Sequence, residues 1–120
     1  MSKILIADDE QDAANTLAAL LKLEKHDVRV AYDGQSAYDI AIEFLPDILI
    51  LDLMMPNLNG FQVAERLRAM SAFNDKLFVA ISALSHQRAL DQASKAQFDE
   101  YLVKPCKIRV LLDVLREVPS

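Results

Sequence analysis

The feature that most restricts how this chain can fold is an alternation of short apolar runs with segments of helical period. The runs are Ile4-Leu5-Ile6-Ala7, Val28-Arg29-Val30-Ala31, Ile48 to Leu51, Phe78-Val79-Ala80-Ile81 and Tyr101-Leu102-Val103. Each is too short for an ordinary helix and most are rich in β-branched or aromatic residues, so each reads as a strand. Between them, apolar residues recur at i, i+3, i+4 and i+7, as Ala14/Leu17/Ala18/Leu21 and Ala37/Ile40/Ala41/Phe44. Val63/Leu67/Met70 continue the pattern in a third helix and Leu111/Val114/Leu115/Val118 in a fifth. The fourth, from Ser85 to about Ala96, has only Ala89, Leu90 and Ala93 on its apolar side and should pack weakly.

Five strands alternating with five helices imply a parallel sheet covered on both faces. The first, third and fourth runs are continuously apolar and belong in the middle of such a sheet. The second alternates with Arg29, and the fifth is polar at its start, at Asp99 and Glu100, as suits edges. The order 2-1-3-4-5 follows, with right-handed crossovers: a doubly wound, flavodoxin-like (βα)5 α/β fold. At 120 residues the chain makes one domain, 1–120, without repeats or low-complexity tracts.

A net charge of -5 argues against direct binding to nucleic acid or an acidic membrane. There is no apolar stretch of about 18 residues to insert in a membrane, and no signal-peptide h-region after Met1. The single cysteine, Cys106, has no internal partner for a disulfide, which favours a reduced, cytoplasmic setting. The chain ends at Ser120, soon after the fifth helix, so no DNA-binding or enzymatic output domain is expected within it. It reads as a stand-alone unit or as one excised from a longer protein.

The polar residues pose a sharper question. The run ILILDLMMPNLNG, residues 48–60, places Asp52 inside the most hydrophobic segment of the chain. A buried carboxylate is costly unless a cation compensates it. In a parallel sheet all strands end at one edge, and ligands bind where the strand order reverses. The first strand ends in Asp8-Asp9, the third in Asp52, the fourth in Ser82 and the fifth in Lys104-Pro105. Tyr32-Asp33-Gly34 ends the second, on an edge away from that point. One lysine cannot neutralise three carboxylates, so a divalent metal is implied. All-oxygen ligation points to magnesium, with manganese as the substitute. A metal, a lysine and an aspartate make a site for a phosphoryl group, because aspartate is an established nucleophile toward phosphorus.

On these motifs the chain resembles the response-regulator receiver domains of two-component signalling. The resemblance rests on Asp8-Asp9, on Asp52 followed by Met54-Met55-Pro56 and Gly60, on Ser82-Ala83 and on Lys104-Pro105, and covers essentially the whole chain. It implies that Asp52 is the phosphoacceptor and that Asp9, Asp52 and the Met54 backbone carbonyl bind magnesium, with Asp8 acting through water. It further implies that Ser82 and Lys104 hold the phosphoryl oxygens, that Tyr101 is the switch aromatic, and that the Lys104-Pro105 bond is cis. The implied partners are a sensor histidine kinase or a histidine phosphotransfer protein, and a downstream protein or output domain reached through the fourth helix, fifth strand and fifth helix. The residues two past the acceptor and two past the serine influence the attacking water in this family; here they are Met54 and Leu84, which implies slow loss of phosphate.

Plainer roles suit other residues. Glu10 fits the start of the first helix, and Asn57-Leu58-Asn59-Gly60 fits a turn into the third. His26 and His86 read as surface residues without the neighbours of a metal site, and Cys106 as a small packed hydrophobe. Met54 and Met55 read as a lid and a core plug. The chain departs from the family at Asn59, where aspartate is frequent, at Ser82, where threonine is commoner, and at Cys106, where a bulky apolar residue is usual. Two other classes are weighed. A magnesium-dependent phosphohydrolase lacks a second acid or base after Asp52. A phosphorylation-independent interaction module would not need Asp9, Asp52 and Lys104. The expected function is a phosphorylation switch rather than a turnover enzyme.

Overall fold

The computed structural model of the chain describes residues 2–105 and 107–116; Cys106 and Val118, both given packing roles above, lie outside them. The five apolar runs are strands, each a residue or two longer than its hydrophobic stretch: β1 (Lys3–Ala7), β2 (Asp27–Ala31), β3 (Ile48–Asp52), β4 (Leu77–Ser82) and β5 (Glu100–Val103). The extensions bring Asp52 and Ser82 into the sheet itself. The helices are α1 (Gln11–Leu23), α2 (Gly34–Phe44), α3 (Gly60–Arg68), α4 (Gln87–Lys95) and α5 (Ile108–Leu115), with a short 3-10 turn at Ser71–Phe73. All neighbouring strands are parallel, in the order β2-β1-β3-β4-β5. That is the expected doubly wound, flavodoxin-like arrangement.

Alternation along each central strand sorts the core into two layers. Ile4, Ile6, Ile48, Ile50, Val79 and Ile81 face Ala14, Ala18 and Leu21 of α1 and Leu111, Val114 and Leu115 of α5. Leu5, Ala7, Leu49, Leu51, Phe78 and Ala80 face α2, α3 and α4. The sheet is therefore buried on both faces, and its two edge strands are the less buried ones, as their sequences anticipate.

Local chemistry sets the helix starts. Asp33 caps α2 by accepting the Ser36 N–H at 2.7 Å. Asn59 and Gln62 form a reciprocal capping box at the start of α3. His86 caps α4, its Nδ1 accepting the Ala89 N–H at 3.1 Å, and His26 accepts the Ser2 N–H at 3.1 Å. His26 is thus half-buried and engaged rather than a free surface residue. Glu10 occupies the N-cap position of α1, but its side chain makes no capping bond.

Three helix expectations need correction. Met70 falls outside α3, which ends at Arg68, and precedes the 3-10 turn. α4 begins at Gln87 rather than Ser85, and Leu90 is 36% exposed. Ala89, Ala93 and Ala96, at i, i+4 and i+7, define the buried stripe of α4, and Leu90 lies one residue around from it. Burying a methyl group contributes only about 0.8 kcal/mol, against roughly 1.5–3 for a large apolar side chain. α3, which buries Phe61, Val63 and Leu67, is therefore far better anchored than α4. Asp99 stands just before β5, where its carboxylate accepts the Phe78 N–H at 2.8 Å and pairs with Arg68 at 2.9 Å. No helix among the described residues is long and apolar enough to cross a membrane.

Candidate functional site at the carboxyl edge of the sheet

Parallel strands deliver their C-terminal ends to one rim, and β1, β3, β4 and β5 bring their polar residues together there. Asp8 and Asp52 are buried, at 8% and 5% exposure, while Asp9 faces solvent. Lys104 lies between the two buried acids. Its Nζ donates to Asp52 Oδ2 at 2.8 Å and to Asp8 Oδ2 at 3.0 Å. The other oxygens are occupied by backbone: Met54 N–H donates to Asp52 Oδ1 at 2.9 Å, and Glu10 N–H to Asp8 Oδ1 at 3.0 Å. Lys104 is in turn positioned by its own N–H, which donates to the Ser82 carbonyl at 2.8 Å. The Lys104-Pro105 peptide is cis.

Charge in this cluster does not balance. Oxygens of Asp8, Asp9 and Asp52 lie within 4.8 Å of one another, three carboxylates around one ammonium. Burial pushes the Asp52 carboxyl above its ordinary range, and neither Lys104 nor the Met54 N–H fully offsets it, with Asp8 adding to the rise. Burial alone would lower the Lys104 ammonium, but hydrogen bonds to Asp52 and Asp8, and their charges, outweigh it and hold it above its ordinary 10.5. The first displacement comes from burial and the second from the paired carboxylates, and three acids still face one ammonium. An all-oxygen donor set with surplus negative charge fits a hard divalent cation.

Ser82 is wholly buried, its Oγ accepting the Leu84 N–H at 3.1 Å. Tyr101 is half-buried and donates its hydroxyl to the Leu84 carbonyl at 2.7 Å. That acceptor fixes the ring, since a half-buried phenol needs a partner and Leu84 supplies one. Met54 is 59% exposed and Met55 only 8%, a lid and a plug respectively. The backbone of Leu84, joining Ser82 to Tyr101, is the participant that sequence reading missed. A backbone carbonyl carries no side-chain identity, so no residue type signals it.

The model of the response regulator receiver domain matches residues 4–116. This chain belongs to that family. Among relatives, the receiver domain is similar to the response regulator ArlR of Staphylococcus aureus strain Mu50, at 35% identity over 119 residues, covering 98% of this chain and 52% of that one. The chain thus spans about half the length of the curated relatives it matches. Among solved structures, the receiver domain of the Francisella response regulator 1452 superposes with a TM-score of 0.89 at 27% identity, covering 98% of this chain and 95% of that one. The chemotaxis protein CheY4 of Vibrio cholerae, at 24% identity, shares the fold with a TM-score of 0.92 over 99% of each chain. Receiver domains of this family are signalling switches of two-component systems rather than turnover enzymes.

Proposed function

We propose that residues 1–120 form a single receiver domain that is switched by phosphorylation of Asp52. The phosphodonor is the phosphohistidine of a sensor histidine kinase or a histidine phosphotransfer protein, in a cytoplasmic setting. One observation carries the reading: Asp52 is buried, aligned by the Met54 N–H and grouped with Asp8 and Asp9 around the single ammonium of Lys104. Asp9, Asp52 and the Met54 carbonyl would hold magnesium, or manganese in its place, with Asp8 acting through water. The bound ion supplies positive charge beside the phosphoryl oxygens.

In the transfer, an Asp52 oxygen forms the new bond to phosphorus as the donor's phosphorus–nitrogen bond breaks, and the leaving imidazole takes up a proton. Lys104, already within hydrogen-bond reach of Asp52 Oδ2, neutralises charge on the incoming group. Ser82 Oγ accepts from Leu84 and keeps its own O–H free to donate to a phosphoryl oxygen. The added charge, about -1.5 to -2 by analogy with other phosphoresidues, draws Ser82 and Lys104 toward it. Because Ser82 and Tyr101 share Leu84, that pull reaches α4, the helix whose fully buried residues are alanines. The output face is α4, β5 and α5, which would meet a downstream protein or output domain.

Intact-mass measurement after acetyl phosphate and magnesium tests the function: one phosphoryl group should add and the reaction should then stop. Continuous release of phosphate from a phosphomonoester would favour the hydrolase, and no addition would favour an unmodified interaction module. Amide exchange with and without beryllofluoride, a phosphoryl mimic, tests the route. Protection should change in α4 and β5, and unchanged protection there rules this route out.

Phosphate loss should be slow, because neither Met54 nor Leu84 can orient an attacking water. Met54→Asn and Leu84→Gln together are expected to speed loss roughly tenfold, equivalent to about 1.4 kcal/mol of barrier. An unchanged half-life of the modified protein would refute that explanation.

A further inference from the structure

The chain has only two glycines, Gly34 and Gly60, and both lie against the backbone of the segment running from Asp52 to Leu58. A Cβ on Gly60 would stand 2.5 Å from the Asp52 carbonyl oxygen and 2.9 Å from Leu53 Cα. A Cβ on Gly34 would stand 1.7 Å from the Leu58 carbonyl oxygen and 2.4 Å from its carbon. Neither glycine has a positive φ. Close approach of another backbone, not backbone conformation, is what each position demands.

Gly60 belongs to the motif following Asp52. Gly34 does not. It follows edge strand β2, which sequence reading places away from the site. The structure instead seats it against the loop, with its N–H donating to the Pro56 carbonyl at 3.3 Å. Leu58, 8% exposed, shares the core with Ala37 and Ala41 of α2 and with Met55. The loop is thus held at its start, at Leu53, whose carbonyl accepts the Gly60 N–H at 3.1 Å, and in its middle, at Pro56, by Gly34. Between these supports stands Met54, whose N–H orients Asp52 Oδ1.

We propose that Gly34 is a positioning residue for the phosphoacceptor site, the first turn of α2 setting the height of the loop that carries the Met54 backbone and Pro56. The inference rests on the metal-dependent function proposed above. A methyl group at position 34 must push the Leu58 carbonyl from 1.7 Å out to ordinary contact, about 3.5 Å. Pro56, with its fixed φ, passes that displacement along the loop rather than absorbing it. The Met54 carbonyl and the Asp52 carboxylate then lose their common alignment toward a cation.

The test is calorimetric titration of magnesium into metal-free wild type, Gly34→Ala and Leu21→Ala. Leu21 is buried on α1, on the other face of the sheet, and reports the effect of lost stability alone. Gly34→Ala is expected to bind magnesium at least fivefold more weakly, with Leu21→Ala unchanged from wild type. Equal affinity in Gly34→Ala and wild type, or equal losses in both variants, overturns the role of Gly34 while leaving the metal site standing. No uptake by wild type overturns the metal-dependent reading, and this inference with it. Should Gly34→Ala fail to fold, exchange of the Gly34 amide in wild type decides. Several-fold slowing on magnesium saturation supports the brace, and an unchanged rate overturns it.

Discussion

Asp52→Asn is expected to take up no phosphoryl group from acetyl phosphate and magnesium, and, free of metal, to be more stable than wild type. The first effect is the loss of the nucleophile. The second follows from the site's charge. Burial raises the Asp52 carboxyl even with Lys104 2.8 Å away, so its ionised form is a burden on the folded state. A group raised in this way contributes its full stability below its ordinary value of 3.8 and loses it as pH rises through its folded value. Asparagine, uncharged and equal in shape, avoids that loss. Relief of a single functional-site compromise is worth about 1 kcal/mol, or about 4–8 °C in melting temperature for a domain near 100 residues. The advantage should fade on acidification, as protons neutralise the wild-type carboxylate. Melting curves in chelator from neutral to acid pH check this, alongside intact mass. Equal stability of the two proteins at every pH would mean that Asp52 is adequately compensated without metal, which contradicts the charge deficit.

Lys104→Met is expected to cost about 3 kcal/mol, the lower end of the range for removing one partner of a buried ion pair. The lower end applies because the Lys104 side chain keeps 24% exposure, whereas those of Asp8 and Asp52 keep 11% and 7%. Methionine preserves the stem and removes only the ammonium, so the loss reports charge rather than packing. Typical domains have about 5–15 kcal/mol in total, so the variant should fold but unfold at clearly lower urea. Placing the change in an Asp52→Asn background should shrink the loss, because one of the two stranded acids is gone. Magnesium should restore part of the stability in the Lys104→Met protein by binding the folded state alone. A loss below about 1 kcal/mol, insensitive to the second substitution, would place this pair with exposed salt bridges of little consequence.

Much of this molecule was legible before any coordinates. Apolar period distinguished strands from helices, and continuous against alternating runs ranked the strands from centre to edge. Parallel topology then placed Asp8, Asp9, Asp52, Ser82 and Lys104 on one rim, since chain direction dictates where a strand ends. Leu90 and Met70 were misread because a stripe of apolar letters does not state which residue the neighbouring layer will meet. His26 was read as a surface residue because an acceptor role depends on which N–H happens to approach.

What the sequence by itself determined is the architecture and the company of charges, because both follow from side-chain type at regular spacing. Tertiary structure alone decided that Lys104 serves two acids at once, that Leu84 links Ser82 to Tyr101 through its backbone, and that Gly34 bears on Pro56 and Leu58. The first joins side chains from distant strands, and the other two run through peptide groups. Peptide groups are the same at every position, so only the folded packing can single them out.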